Sequence, residues 1–244
     1  MTPISPSLLA FGRSANQAPP RHLGTRFTAD GRFLHEPGNT VVSHVCAGSS
    51  SEAALLAVRE RLMAMPEAGQ FAFTHPSSLH MTVFQGIIEH RRRLRYWPED
   101  MPRDTPIDVM TEHYRLALKD FAPLDGFRMR ITDVTPTGLA LEGDSAEDRL
   151  CLMRWRDAFA EVFGYRHPDH DDCEFHITFA YAADWLDEAA LPRWQAMLDE
   201  QLNFLKEHTS VIELDPPAFC AFEDMNHFEE LIVFSNRPET KENR

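Results

Sequence analysis

Two short stretches of the chain place a threonine two residues after a histidine: Leu79-His80-Met81-Thr82-Val83 and Phe175-His176-Ile177-Thr178-Phe179. Imidazole titrates near neutrality, so a pair of histidines can accept a proton from one group and deliver one to another. A threonine hydroxyl donates a hydrogen bond to an anionic oxygen. Two of each, brought together, would make an acid–base site around a phosphate. With 12 His and 14 Thr in 244 residues, roughly 0.7 such pairs arise by accident, and requiring three apolar flanking positions lowers that to about 0.06. Two flanked copies therefore stand out from chance.

The flanks imply the element that positions the pairs. Apolar residues alternate with polar ones at period two, the pattern of a half-buried strand. His80 and Thr82 then share one face and His176 and Thr178 another, while Met81, Val83, Ile177 and Phe179 bury and hold the polar pairs rigid.

Each strand closes a similar unit. The first opens with Thr40-Val41-Val42, and Ser49 followed by Glu52 caps a helix striped with Leu55, Leu56, Leu62 and Met63. The second opens with Leu139-Ala140-Leu141, and Asp144 followed by Glu147 is the expected cap. Its helix carries Trp155, Phe159, Val162 and Phe163, and Gly164 is the expected stop. Two strand–helix–strand units, about 39–86 and 137–182, imply an internal duplication. Residues 1–24 read as a tail or wrapping arm, and 25–244 as one bilobal domain. A hairpin turn is expected at Asp30-Gly31, helices over 107–119 and 192–205, and strands over 127–131, 211–214, 219–222 and 230–234. The fold class is α+β: duplicated units forming two mainly antiparallel sheets around a central cleft, with helices outside.

Composition narrows the partners. A net charge of -14 argues against gripping long duplex nucleic acid and favours a small phosphorylated nucleotide or RNA end. Cys46, Cys151, Cys173 and Cys220 are scattered without a CxxC pair, which reads as free thiols. No long apolar run implies a membrane partner, and the expected location is cytoplasmic. Oligomeric state is not encoded legibly.

At these motifs the chain resembles the 2H phosphoesterase superfamily, defined by paired His-x-Thr motifs with hydrophobic flanks. Pro37-Gly38-Asn39-Thr40 and Phe84-Gln85-Gly86 look like an uncharacterised bacterial branch related to RNA 2′,3′-cyclic phosphodiesterases. The resemblance implies a metal-independent phosphodiesterase acting on a cyclic or 2′-5′-linked nucleotide or RNA end, with no cofactor. It further implies that His80 and His176 serve as general base and general acid, in an order left open, and that Thr82 and Thr178 hold phosphate oxygens.

Three further groups are candidates. Phe84 and Tyr181 could stack on a base, and Arg95, in the basic-aromatic run 90–97, could meet a distal phosphate. Parity puts Phe84 on the cleft face and Tyr181 off it unless the strand ends or bulges. The alternatives are a metal-dependent hydrolase using the 167–176 cluster through His170, Asp172 and His176, and a non-catalytic nucleotide or RNA-end binding module.

Overall fold

The computed structural model describes residues 3–235. The chain opens with a single helical turn, α1 (Pro6–Leu9), started by Pro6 and capped by the Ser5 hydroxyl. Leu8 is fully buried, Ser5 N–H donates to Gln195, and Ser7 donates to Asp133. The first described residues thus pack onto the body. The Asp30-Gly31 turn forms with Gly31 at φ 80°, where a side chain would be strained, and its flanks meet in the isolated bridge Phe27–Phe33.

The first repeat unit runs β1 (Gly38–His44), α2 (Ser50–Met63), β2 (Phe71–Phe73) and β3 (His80–Ile88). Ser49 caps α2 as expected, its hydroxyl accepting from the Glu52 amide. Helix α3 (Ile107–Ala117) and strand β4 (Met129–Thr135) lead to the second unit: β5 (Gly138–Gly143), α4 (Ala146–Phe163), β6 (Phe175–Thr178) and β7 (Ala180–Ala182). The cap of α4 is Ser145, with Asp148 completing a capping box, one residue beyond the expected Asp144. Asp144 is engaged elsewhere: its N–H donates to the Arg128 carbonyl and its carboxylate pairs with Arg128. With that correction the units match in length, because His80 lies 28 residues after Glu52 and His176 lies 28 after Asp148. Gly164 ends α4 at φ 74°. Helix α5 (Leu191–His208) and strands β8 (Val211–Ile212), β9 (Ala218–Phe222) and β10 (Glu229–Val233) complete the described chain.

The fold is α+β, and every pairing between these strands is antiparallel. The order β10–β9–β1–β3–β6–β5–β4–β8 shows how the units meet: β1 pairs with β3, β5 with β6, and the two halves join edge to edge at β3–β6 in one eight-stranded sheet. A second ladder, β2–β7, also links them. Helices α3 and α4 pack on β1, β3 and β5, α5 packs on β4, and α2 packs on α5. Val83, Met81 and Ile177 are sealed into this core with Trp155, Phe159 and Phe163. The seam's other face carries the polar pairs. No helix among the described residues is long and apolar enough to cross a membrane.

Candidate active site

The seam sets the site. Met81 pairs with Ile177 antiparallel, which places His80 across from Thr178 and Thr82 across from His176. The two imidazoles are therefore diagonal neighbours, roughly 7–8 Å apart or somewhat less at their Cβ atoms. All four side chains line one cavity of about 690 Å³.

Both rings are held in the same way. His80 Nδ1 lies 2.6 Å from the carbonyl of Ser78, and His176 Nδ1 lies 3.2 Å from the carbonyl of Glu174, in each case the residue two positions upstream. A carbonyl accepts only, so each Nδ1 carries the proton, and Nε2 is left free for chemistry. Among the described residues, neither the Thr82 nor the Thr178 hydroxyl is hydrogen-bonded to another protein group.

The two histidines differ in surroundings. His80 is half-buried, its ring 4.2 Å from that of Phe228 and 6.1 Å from that of His44. Burial first, then the neighbouring His44, push its pKa down to about 3, so the free protein holds His80 neutral. His176 is exposed. His44 is a residue that motif reading missed. It is the β1 partner of His80 and is tied through Nδ1 to Glu230 at 3.0 Å. Only the β1–β3 register reveals it.

Phe84 does not reach the cavity. The pairing runs Val41 with Phe84 but Val42 with Thr82, so Val83 is an extra residue in β3. That bulge reverses the parity beyond Thr82: Phe84 turns inward and is fully buried against Phe163, Tyr165 and His167, while Gln85 is exposed and lines the cavity. Tyr181 is brought in by the converse event. Strand β6 ends at Thr178, Phe179 N–H turns to the carbonyl of Thr137, and Tyr181 on β7 lines the cavity. Its ring is engaged by protein groups, stacked on Phe27 at 5.6 Å with the Arg26 guanidinium 5.1 Å away.

Arg95 is a second correction. It adopts φ 66° and its Nη2 donates to the His167 carbonyl, so it secures its own loop, and it does not line the cavity. From the same basic run, Arg91 does line it, as do Arg21, His22 and Arg26 of the N-terminal region.

The 167–176 cluster disperses. His167 is buried among Phe84, Tyr96 and Tyr165, His170 is buried with Nε2 on Asp157 at 3.0 Å, and Asp172 faces solvent. Among the described residues, no three His, Cys, Asp or Glu side chains converge as metal ligands, so the donor set does not fit a metal centre at that cluster.

Comparisons with known proteins bear on the family and the fold. Residues 26–140, which include the first motif, match the family model described as 2H-phosphodiest, a domain of unknown function (DUF1868). No curated protein sequence matches the chain. The crystal structure of the conserved protein of unknown function ATU0111 from Agrobacterium tumefaciens str. C58 is 54% identical, with a TM-score of 0.94 over 95% of this chain and 100% of that one. The chain belongs to the 2H phosphoesterase family, a family of the phosphodiesterase type.

Proposed function

We propose that the protein hydrolyses a cyclic or 2′-5′-linked phosphodiester of a nucleotide or RNA end without a metal, using His80 as base and His176 as acid. One observation carries the reading. Both imidazoles have Nδ1 fixed on the carbonyl two residues upstream, so two Nε2 atoms serve one cavity from opposite sides of the seam.

The asymmetry of the site supports these roles. A base must begin neutral, and burial beside Phe228 and His44 keeps His80 so. His80 Nε2 takes a proton from water as the water oxygen bonds to phosphorus. The bond from phosphorus to the leaving oxygen breaks, and Nε2–H of the exposed His176 supplies that oxygen's proton. Water is consumed and no other reactant is needed. Thr82 and Thr178, whose hydroxyls bond to no other described residue, donate to the non-bridging oxygens, where negative charge accumulates. Phe222, Met225 and Phe228 are buried and line the cavity beside His80, an apolar wall that suits the face of a sugar or base.

The test is a panel of 2′,3′-cyclic, 2′-5′-linked and 3′-5′-linked nucleotides incubated with the protein in EDTA. Turnover of a cyclic or 2′-5′ substrate supports the reading. Activity that EDTA abolishes and a divalent ion restores would favour a metal hydrolase. Saturable binding with no turnover of any member would favour a binding module.

A further inference from the structure

The charge of the cavity opposes the charge of the chain. The protein carries -14 overall, yet Arg21, Arg26, Arg91, Arg92 and Arg93 line the cavity against one carboxylate, Glu36. Two of these arginines are answered from within: Arg26 holds Glu36 at 2.6 Å, and Arg92 holds Glu89 at 2.6 Å.

Arg91 is not answered. Its Nη1 donates to the Gln85 amide oxygen at 2.7 Å, and its guanidinium lies 4.4 Å from the centre of the Tyr96 ring. Nε and Nη2 are buried without an acceptor, and among the described residues Arg91 has no carboxylate partner. A guanidinium withdrawn from water ordinarily takes a carboxylate, because an unpaired buried charge is destabilising. A chain with 38 acidic residues has carboxylates to offer, and among the described residues it pairs none with Arg91.

The neighbours add a second unpaired cation and a neutral imidazole. Arg21 is exposed and, among the described residues, forms no ion pair. His22 is half-buried, and burial together with Arg26, Arg21 and Arg91 pushes its pKa down to about 4. Both arrive on the N-terminal arm, while Arg91 follows β3, so two distant segments converge on one cationic end of the cavity.

We infer that this end is a second anion subsite, and that the substrate cleaved between His80 and His176 carries a second phosphate whose charge is the counter-ion Arg91 lacks. The inference rests on the proposed phosphodiester site and names its substrate class: a nucleotide bearing a phosphate in addition to the one attacked. A volume of about 690 Å³ suits a ligand of that size. Gln85, turned outward by the bulge, sits between the reacting end and Arg91 and can exchange its bond to Nη1 for the phosphate. Arg21, exposed at the same end, supplies a further guanidinium fork for that group.

The test compares adenosine 3′,5′-bisphosphate with adenosine 3′-monophosphate by calorimetry on the full chain. The wild type should bind the bisphosphate about tenfold or more tightly, an advantage that Arg91→Met removes and Arg91→Lys partly keeps. Arg91→Met should melt no lower than wild type in the absence of ligand, because it removes a buried unpaired charge. His80→Ala should retain the bisphosphate preference, since that preference does not depend on proton transfer. Turnover in the nucleotide panel without a bisphosphate preference would sink the subsite alone. A preference that depends on Arg91, with no turnover of any substrate, would sink the hydrolytic reading alone. Equal affinities in the wild type, no measurable bisphosphate binding, or a preference unchanged by Arg91→Met overturns the inference.

Discussion

Met81 lies opposite Ile177 across the β3–β6 seam, both side chains fully buried on the helical face. This one antiparallel pair relates the two halves of the chain. Because side chains alternate, burying these two residues obliges the residues on either side of each to face the cavity. The four polar groups are thus held by core packing, and a change in the pair should be felt at the site. Met81→Ala should cost about 2–5 kcal/mol of stability and lower activity as well, checked by chemical denaturation alongside kinetics.

The threonines should matter less than the histidines. Each hydroxyl offers one charge-assisted hydrogen bond, worth about 1.5–3 kcal/mol, so Thr82→Ala and Thr178→Ala should each lower kcat/KM by about 10–100-fold. Steady-state kinetics on any substrate found in the panel checks this. Serine at either position should restore most of the loss, because it returns the hydroxyl.

Activity should depend on pH in an asymmetric way. With His80 as the proposed base and its pKa in the free protein pushed down to about 3, kcat/KM should hold down to well below the usual histidine range before falling on the acid side. A bound phosphate favours the imidazolium, so the acid limb of kcat should lie higher than that of kcat/KM. His44→Phe removes one of the influences that depress His80 and should shift the acid limb of kcat/KM upward.

How much of this could be read from the sequence depended on how local each feature is. The motifs were legible because period-two alternation around His80 and His176 is a local signal of a half-buried strand. The caps were legible to within a residue: Ser49 stands where expected, but the cap of α4 moved from Asp144 to Ser145 because Asp144 is still bonded to Arg128 across β4–β5. What depends on long-range pairing was not legible. The bulge at Val83 buries Phe84 and exposes Gln85, and it exists only against β1. The turn at Phe179 that admits Tyr181, and the return of Arg21 and His22 over the cavity, are likewise set by partners far along the chain.

Gly138 should tolerate no side chain. It pairs with Thr178 at φ 153°, and a Cβ there would stand 2.0 Å from the Ile177 carbonyl oxygen. Gly138→Ala should therefore force β5 and β6 apart at the second motif, lowering the melting temperature and activity together.

Acid should weaken the fold through His167. Its ring is buried and its pKa lies at about 3, pushed down first by burial and then by Arg91 and Arg156. In the unfolded chain the ordinary value is about 6.5. Between those values the unfolded state binds the extra proton, so this contribution is complete above about pH 6.5 and is lost as pH falls toward 3. At pH 5 the loss is on the order of 1–2 kcal/mol. Denaturation curves at pH 7 and pH 5 should show that difference shrink in His167→Gln.

The central claim is that two histidines perform hydrolysis in one cavity, and single-site replacement tests it most directly. Turnover of the best substrate from the nucleotide panel is measured in EDTA for the wild type, His80→Ala and His176→Ala, with circular dichroism confirming that each variant folds. Both variants should lose about 10²–10⁴-fold in kcat. If either folded variant keeps activity within a few-fold of wild type, the two-histidine account is wrong.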